Sequence, residues 1–142
     1  MTRAFIIDTD TASDDAVALI MALRWPDVEV KAITMVAGNV GLEQATRNAL
    51  YTVSLTGKNV PVYMGASKPL TRRHENAQWF HGQDGLGDQG YPEPTQKAES
   101  KPASCTDIGE CRDLLAFKQQ NTTGKIFYNC FVICNIIILG YL

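Results

Sequence analysis

The chain reads as an α/β protein, a Rossmann-like open parallel sheet with flanking helices. Three observations carry that reading. Strand-like and helix-like segments alternate as far as Met64, at the spacing of right-handed crossover units. Asp8, Asp10 and Asn39 stand where the first two strands should stop, and open parallel sheets bind ligands at the carboxyl ends of their strands. Finally, 142 residues with 45% hydrophobic and 20% charged side chains suit one domain with a real core, but not two.

The elements follow in order. Ala4 to Ile7 is an apolar, branched run that ends at Asp8, as a buried parallel strand does. Ser13 stands as a helix N-cap, and Asp14 and Asp15 fall in the first turn, where the helix dipole favours negative charge. Ala16 to Leu23 continues that helix until Pro26 ends it. Val28 to Val36 alternates as a second strand, Gly38-Asn39 forms a turn, and Leu42 to Leu55 has helical spacing with Gly57 as its stop. Val60 to Met64 is the third strand. From Gly65 to about Ser104 the chain is rich in Gly, Pro and polar residues and reads as long loops around the patterned stretch HGQDGLG at 81–87.

The residues thus divide into 1–104, the body of the domain, and 105–142, a divergent tail. All four cysteines, Cys105, Cys111, Cys130 and Cys134, lie in the tail, at spacings that do not match CxxC zinc pairs, so they read as free thiols. The run IFYNCFVICNIIILGYL at 126–142 reads as a buried strand pair or a non-native terminus in preference to a tail anchor. The short apolar stretch in MTRAFIID does not make a secretory signal, and the expected location is cytoplasmic. A net charge of −2 without any basic run excludes a nucleic-acid partner.

Chemistry concentrates in DTDTASDDAVAL at 8–19. Asp8 and Asp10 share a strand face if the strand persists that far, and Asp15 reaches the same point from the first helical turn. So many carboxylates together are costly unless a cation sits among them, and hard oxygen donors suit Ca²⁺ or Mg²⁺.

These residues bring a resemblance into view. DTDTASDDAVAL resembles the N-terminal signature of the inosine/uridine-preferring nucleoside hydrolase family, a DxDxxxDD pattern between the first strand and the first helix. The likeness extends to Gly38-Asn39, TRNAL at 46–50, PVYMGASKPL at 61–70 and HGQDGLG. It implies hydrolysis of the N-glycosidic bond of ribonucleosides, with calcium as cofactor. By the same resemblance Asp10 is a calcium ligand and the general base for the calcium-bound water, Asp15 a second ligand, and Asp8 a support beside them. Asp14 accepts from ribose hydroxyls, Asn39 meets the ribose or its attacking water, and His81 lies near the nucleobase. A homo-dimer or homo-tetramer is also implied.

This chain departs from the family in two ways. Thr11-Ala12 replaces the usual Pro-Gly, which removes no ligand. The likeness stops near residue 103, and the family's later calcium and ribose ligands have no counterpart after Ser104. The expectation is an incomplete nucleoside hydrolase fold from a truncated, spliced or frame-shifted product, with weak or absent turnover. Two alternatives stay open. IIDTD also fits a haloacid-dehalogenase-like phosphohydrolase, although Ala12 stands where that pattern wants Thr or Val, and Asp14-Asp15 and HGQDGLG go unexplained. The other is a non-catalytic fragment that pairs with a full-length relative.

Overall fold

A computed structural model describes residues 2–69, 73–103, 131–133 and 136–140. Its elements are β1 (Arg3–Thr9), α1 (Ser13–Arg24), β2 (Val28–Met35), α2 (Leu42–Thr56), β3 (Val62–Met64), α3 (Gln78–His81), β4 (Phe131–Ile133) and β5 (Ile136–Gly140). The strands form one sheet in the order β3-β2-β1-β5-β4. The first three are parallel, as the alternation of segments predicts.

The tail adds what a purely parallel reading lacks. β5 pairs antiparallel with β1, from Phe5↔Gly140 to Asp8↔Ile137, and β4 pairs antiparallel with β5. The sheet is therefore mixed, and β1 is central in it. Both of its faces are covered, so consecutive residues are buried in place of strict alternation: Ile7 packs in the cluster with the helices, and Ile6 with Ala32 and Tyr63. The four cysteines lie outside the described residues.

One sheet face packs on the helices. Ile7, Ile33, Met35 and Val62 meet Leu19 and Leu23 of α1 and Ala45, Ala49 and Val53 of α2, all buried. Gly57 ends α2 at φ 68°, a left-handed conformation that glycine adopts without a Cβ penalty. Burial of this apolar face fixes the two helices on the sheet, and so fixes where α1 begins. Among the described residues no helix is long and apolar enough to cross a membrane.

The start of α1 corrects one expectation. The N-cap is Ala12, not Ser13, which is the first helical residue. Asp15 makes the difference: its Oδ2 accepts from the Ala12 N–H at 3.0 Å, so a carboxylate one turn ahead satisfies the group that opens the helix. The Ser13 hydroxyl is thereby released for another partner.

Candidate active site

β1 stops at Thr9, and the next six residues turn directly into α1, so Asp10, Asp14 and Asp15 are presented at the carboxyl end of the sheet. β2 ends beside them, and its connection to α2 carries Gly38 and Asn39 across the same end. The Asn39 backbone N–H donates to Asp10 Oδ2 at 2.6 Å, and its side-chain Nδ2 donates to Asp15 Oδ2 at 3.2 Å. Asn39 thus links the two carboxylates. Gly38 makes the approach possible: a Cβ there would lie 1.9 Å from Asp10 Oδ2.

Each of the three aspartates keeps one oxygen without a donor. Asp10 Oδ1, Asp14 Oδ1 and Asp15 Oδ1 are all buried and have no hydrogen-bond partner. Burial raises Asp10 above the ordinary carboxyl pKa, against the opposing pull of the Asn39 N–H and a hydrogen bond with Asp15. Asp15 rises from 3.8 to about 7, first through burial and then through its like-charged neighbours Asp10 and Asp14.

Asp8 is placed differently. It lies within β1, opposite Thr34 of β2, and its Oδ1 accepts from Thr34 Oγ1 at 2.6 Å. Burial and the nearby Asp10 raise its pKa, while the Thr34 hydroxyl lowers it. It stands beside the cluster with its own partner. Among the described residues no three His, Cys, Asp or Glu side chains are gathered closely enough to hold a metal ion by themselves.

His81 joins the cluster from a distant part of the sequence. It ends the short turn α3, is buried, and places Nδ1 2.9 Å from Ser13 Oγ and Nε2 3.9 Å from Asp14 Oδ1. The segment that carries it is secured by several bonds. Ala77 N–H donates to Asn39 O at 2.8 Å, and Gly87 N–H donates to His81 O at 2.8 Å. His74 Nε2 lies 2.9 Å from Gly38 O, a carbonyl to which it can only donate. Within the loop, Asp84 Oδ1 accepts from the N–H groups of Leu86 and Asp88, so HGQDGLG folds on itself.

The residue that sequence reasoning missed is Asn48. It is buried on α2, and its Nδ2 donates to Thr11 O at 3.0 Å and to Asp84 O at 2.8 Å, while its Oδ1 accepts from Gln44 at 2.9 Å. One amide therefore joins the turn after β1 to the HGQDGLG loop. Its signal was an amide within the apolar helical spacing of TRNAL, because a buried amide must find partners. His74, which the sequence leaves without a role, and Gly38, read only as a turn residue, are two further members that only tertiary contact reveals.

The arrangement brings Asp10, Asp14, Asp15, Asn39 and His81 to one end of the sheet, with Asp8 alongside. Chemically it offers hard, unpartnered oxygen atoms, a carboxylate able to take a proton and an imidazole next to a second carboxylate.

Comparisons with known proteins identify the family. The family model described as inosine-uridine preferring nucleoside hydrolase matches residues 5–126. Uridine nucleosidase 1 of Arabidopsis thaliana is 43% identical over 101 residues, which are 70% of this chain and 30% of that protein. The inosine-uridine preferring nucleoside hydrolase of Leishmania major is 44% identical over 93 residues, 65% of this chain and 30% of that one. Among solved structures, a purine-preferring ribonucleoside hydrolase from Gardnerella vaginalis aligns with a TM-score of 0.64 at 39% identity, covering 69% of this chain and 33% of its own. A plant nucleoside hydrolase aligns with a TM-score of 0.68 at 32% identity, covering 86% and 37%. The chain spans about a third of the length of the relatives it matches. These matches set aside the haloacid-dehalogenase alternative: the chain belongs to the inosine-uridine preferring nucleoside hydrolase family.

Proposed function

We propose that this chain carries the general-base and hydroxyl-reading part of a calcium-dependent site that hydrolyses the N-glycosidic bond of ribonucleosides to free base and ribose. The observation that supports it is the set of buried carboxylate oxygens without donors, Asp10 Oδ1, Asp14 Oδ1 and Asp15 Oδ1, in a member of a nucleoside hydrolase family. Calcium fits their chemistry, because it prefers carboxylate oxygen and offsets the repulsion that burial makes costly. Asp10 and Asp15 would hold it, with Asp8 supporting Asp10 from the neighbouring strand position. Calcium takes about 6–8 oxygen ligands, so these residues are part of a set. When bound, the ion lowers the pKa of a coordinated water and so supplies a nucleophile near neutral pH.

Asp10 takes the proton from the attacking water, and the Asn39 N–H on its other oxygen fixes the direction in which it does so. Asp14 accepts from ribose hydroxyls, and its negative charge stabilises the positive charge that grows on the sugar ring as the bond to the base breaks. Asn39 orients Asp15 and faces the ribose, and His81 borders the base. Assembly as a dimer or tetramer, and action in the cytoplasm, belong to the same proposal.

Release of ribose from inosine and uridine tests it. The expected result is slow release that requires calcium, is at least about a hundredfold below that of a full-length relative, and is lost in Asp10→Asn. Release that persists in Asp10→Asn, or none at saturating calcium and nucleoside, would contradict it and favour a non-catalytic fragment.

A further inference from the structure

The peptide unit between Gly38 and Asn39 is gripped at both of its polar ends. Its N–H donates to Asp10 Oδ2 at 2.6 Å, and its carbonyl oxygen, on Gly38, lies 2.9 Å from Nε2 of His74, 36 positions farther along the chain. A carbonyl only accepts, so the ring nitrogen in this contact carries the proton. In a trans peptide the carbonyl and the N–H point to opposite sides, which puts the imidazole on one side of the plane's axis and the carboxylate on the other. Imidazole, peptide and carboxylate are thus joined in one hydrogen-bonded chain. The next carbonyl is held from the same segment, because Ala77 N–H donates to Asn39 O at 2.8 Å.

Such a unit needs a lock. Gly38 has to lack a side chain, since a Cβ there would lie 1.9 Å from Asp10 Oδ2. The same lack leaves its backbone free to rotate, and a turn of the 38–39 peptide would replace the N–H that faces Asp10 with a carbonyl oxygen. His74 opposes that rotation, because its N–H holds the carbonyl on the side away from Asp10. A donor on the carbonyl also polarises the amide and strengthens the N–H at its other end. Asn39 carries both effects onward, since its side chain donates to Asp15 Oδ2 at 3.2 Å.

We propose that His74 is a positioning residue: it locks the Gly38–Asn39 peptide with its N–H toward Asp10, and so fixes the Asp10 and Asp15 carboxylates for a cation without touching either. The consequence for calcium rests on the reading of these aspartates as its ligands, whereas the lock does not. His74 is half-buried in a loop outside the helices and the sheet, so its replacement leaves the apolar core in place. A glutamine there keeps an N–H donor of similar reach; an alanine removes it.

NMR of the whole ¹⁵N-labelled chain in chelator at about pH 8, where an ordinary imidazole is neutral, tests the lock. The expected result is a His74 ring protonated on Nε2 and an Asn39 amide proton shifted downfield by its short bond to a carboxylate. In His74→Ala the Asn39 signal moves upfield, and in His74→Gln it returns, while the amides of α2 from Ala45 to Val53 stay in place as the folding control. A parent ring protonated on Nδ1, which no variant is needed to see, would overturn the proposal. So would an Asn39 signal unmoved by His74→Ala or unrestored by His74→Gln. Calorimetric titration with calcium then reads the consequence, with about fivefold weaker binding expected in His74→Ala and recovery in His74→Gln. Equal affinity in the parent and His74→Ala would overturn the effect on the carboxylates. A parent that binds no calcium while its Asn39 signal still answers to His74 would overturn the calcium reading, and the lock would stand.

Discussion

Raising the pH should destabilise this protein in the absence of calcium, and Asp15 sets the size of the effect. Its pKa is 3.8 as an ordinary carboxyl and about 7 in the folded chain, raised first by burial and then by Asp10 and Asp14. Between those values the folded state keeps a proton that the unfolded chain has lost. Stability therefore falls as pH rises through that window and levels off above about 7. Asp15 is fully buried, so water does little to relieve the penalty. A rise of about 3 units at ~1.4 kcal/mol per unit amounts to about 4 kcal/mol, of the order of a third or more of a small domain's whole stability. Asp10 and Asp8 are raised as well and add to the same trend. The exposed Asp27 and Asp88, whose pKa values are lowered, act in the opposite sense only below about pH 4, outside the window. Urea unfolding at intervals from pH 4.5 to 8, with a chelator and then with calcium, measures the effect. The expected curve falls with pH in chelator, flattens with calcium, and falls much less steeply in Asp15→Asn without calcium, where Asp10 and Asp8 alone remain raised. A chelated curve that is level or rises through this range would refute the reasoning.

Two more substitutions probe the supports of the cluster. Gly38→Ala places a Cβ 1.9 Å from Asp10 Oδ2, so the Asn39 N–H bond must break or the turn must shift; a loss of about 1–3 kcal/mol in urea unfolding is expected, together with a weaker calcium response. Asn48→Ala strips the amide donor from Thr11 O and Asp84 O, and should cost about 2 kcal/mol or more while exposing the 81–87 loop to limited proteolysis.

Much of the site was legible in the sequence because it is local. DTDTASDDAVAL lies at one strand-to-helix junction, so the placement of Asp10, Asp14 and Asp15 follows from where an apolar run stops and a helical one begins. The parallel order of β1, β2 and β3 follows from the same alternation. What could not be read depends on contacts between distant segments. Whether Ser13 caps a helix or holds an imidazole is decided by Asp15 and by His81, and only the fold brings His81 back to α1. Asn48 was hidden for a similar reason, since its partners come from the turn after β1 and from the HGQDGLG loop. The antiparallel pairing of β5 with β1 lay beyond the pattern because an apolar run of that length specifies strand, but not its neighbour or direction.

The central claim is that carboxylates at the carboxyl end of β1 and the start of α1 form part of a calcium site. Calorimetric titration of the chelator-treated chain with calcium tests it most directly. The account predicts a single saturable site, lost in Asp15→Asn and at least tenfold weaker in Asp10→Asn. No binding to the parent chain, or equal binding to the chain and both variants, would contradict it.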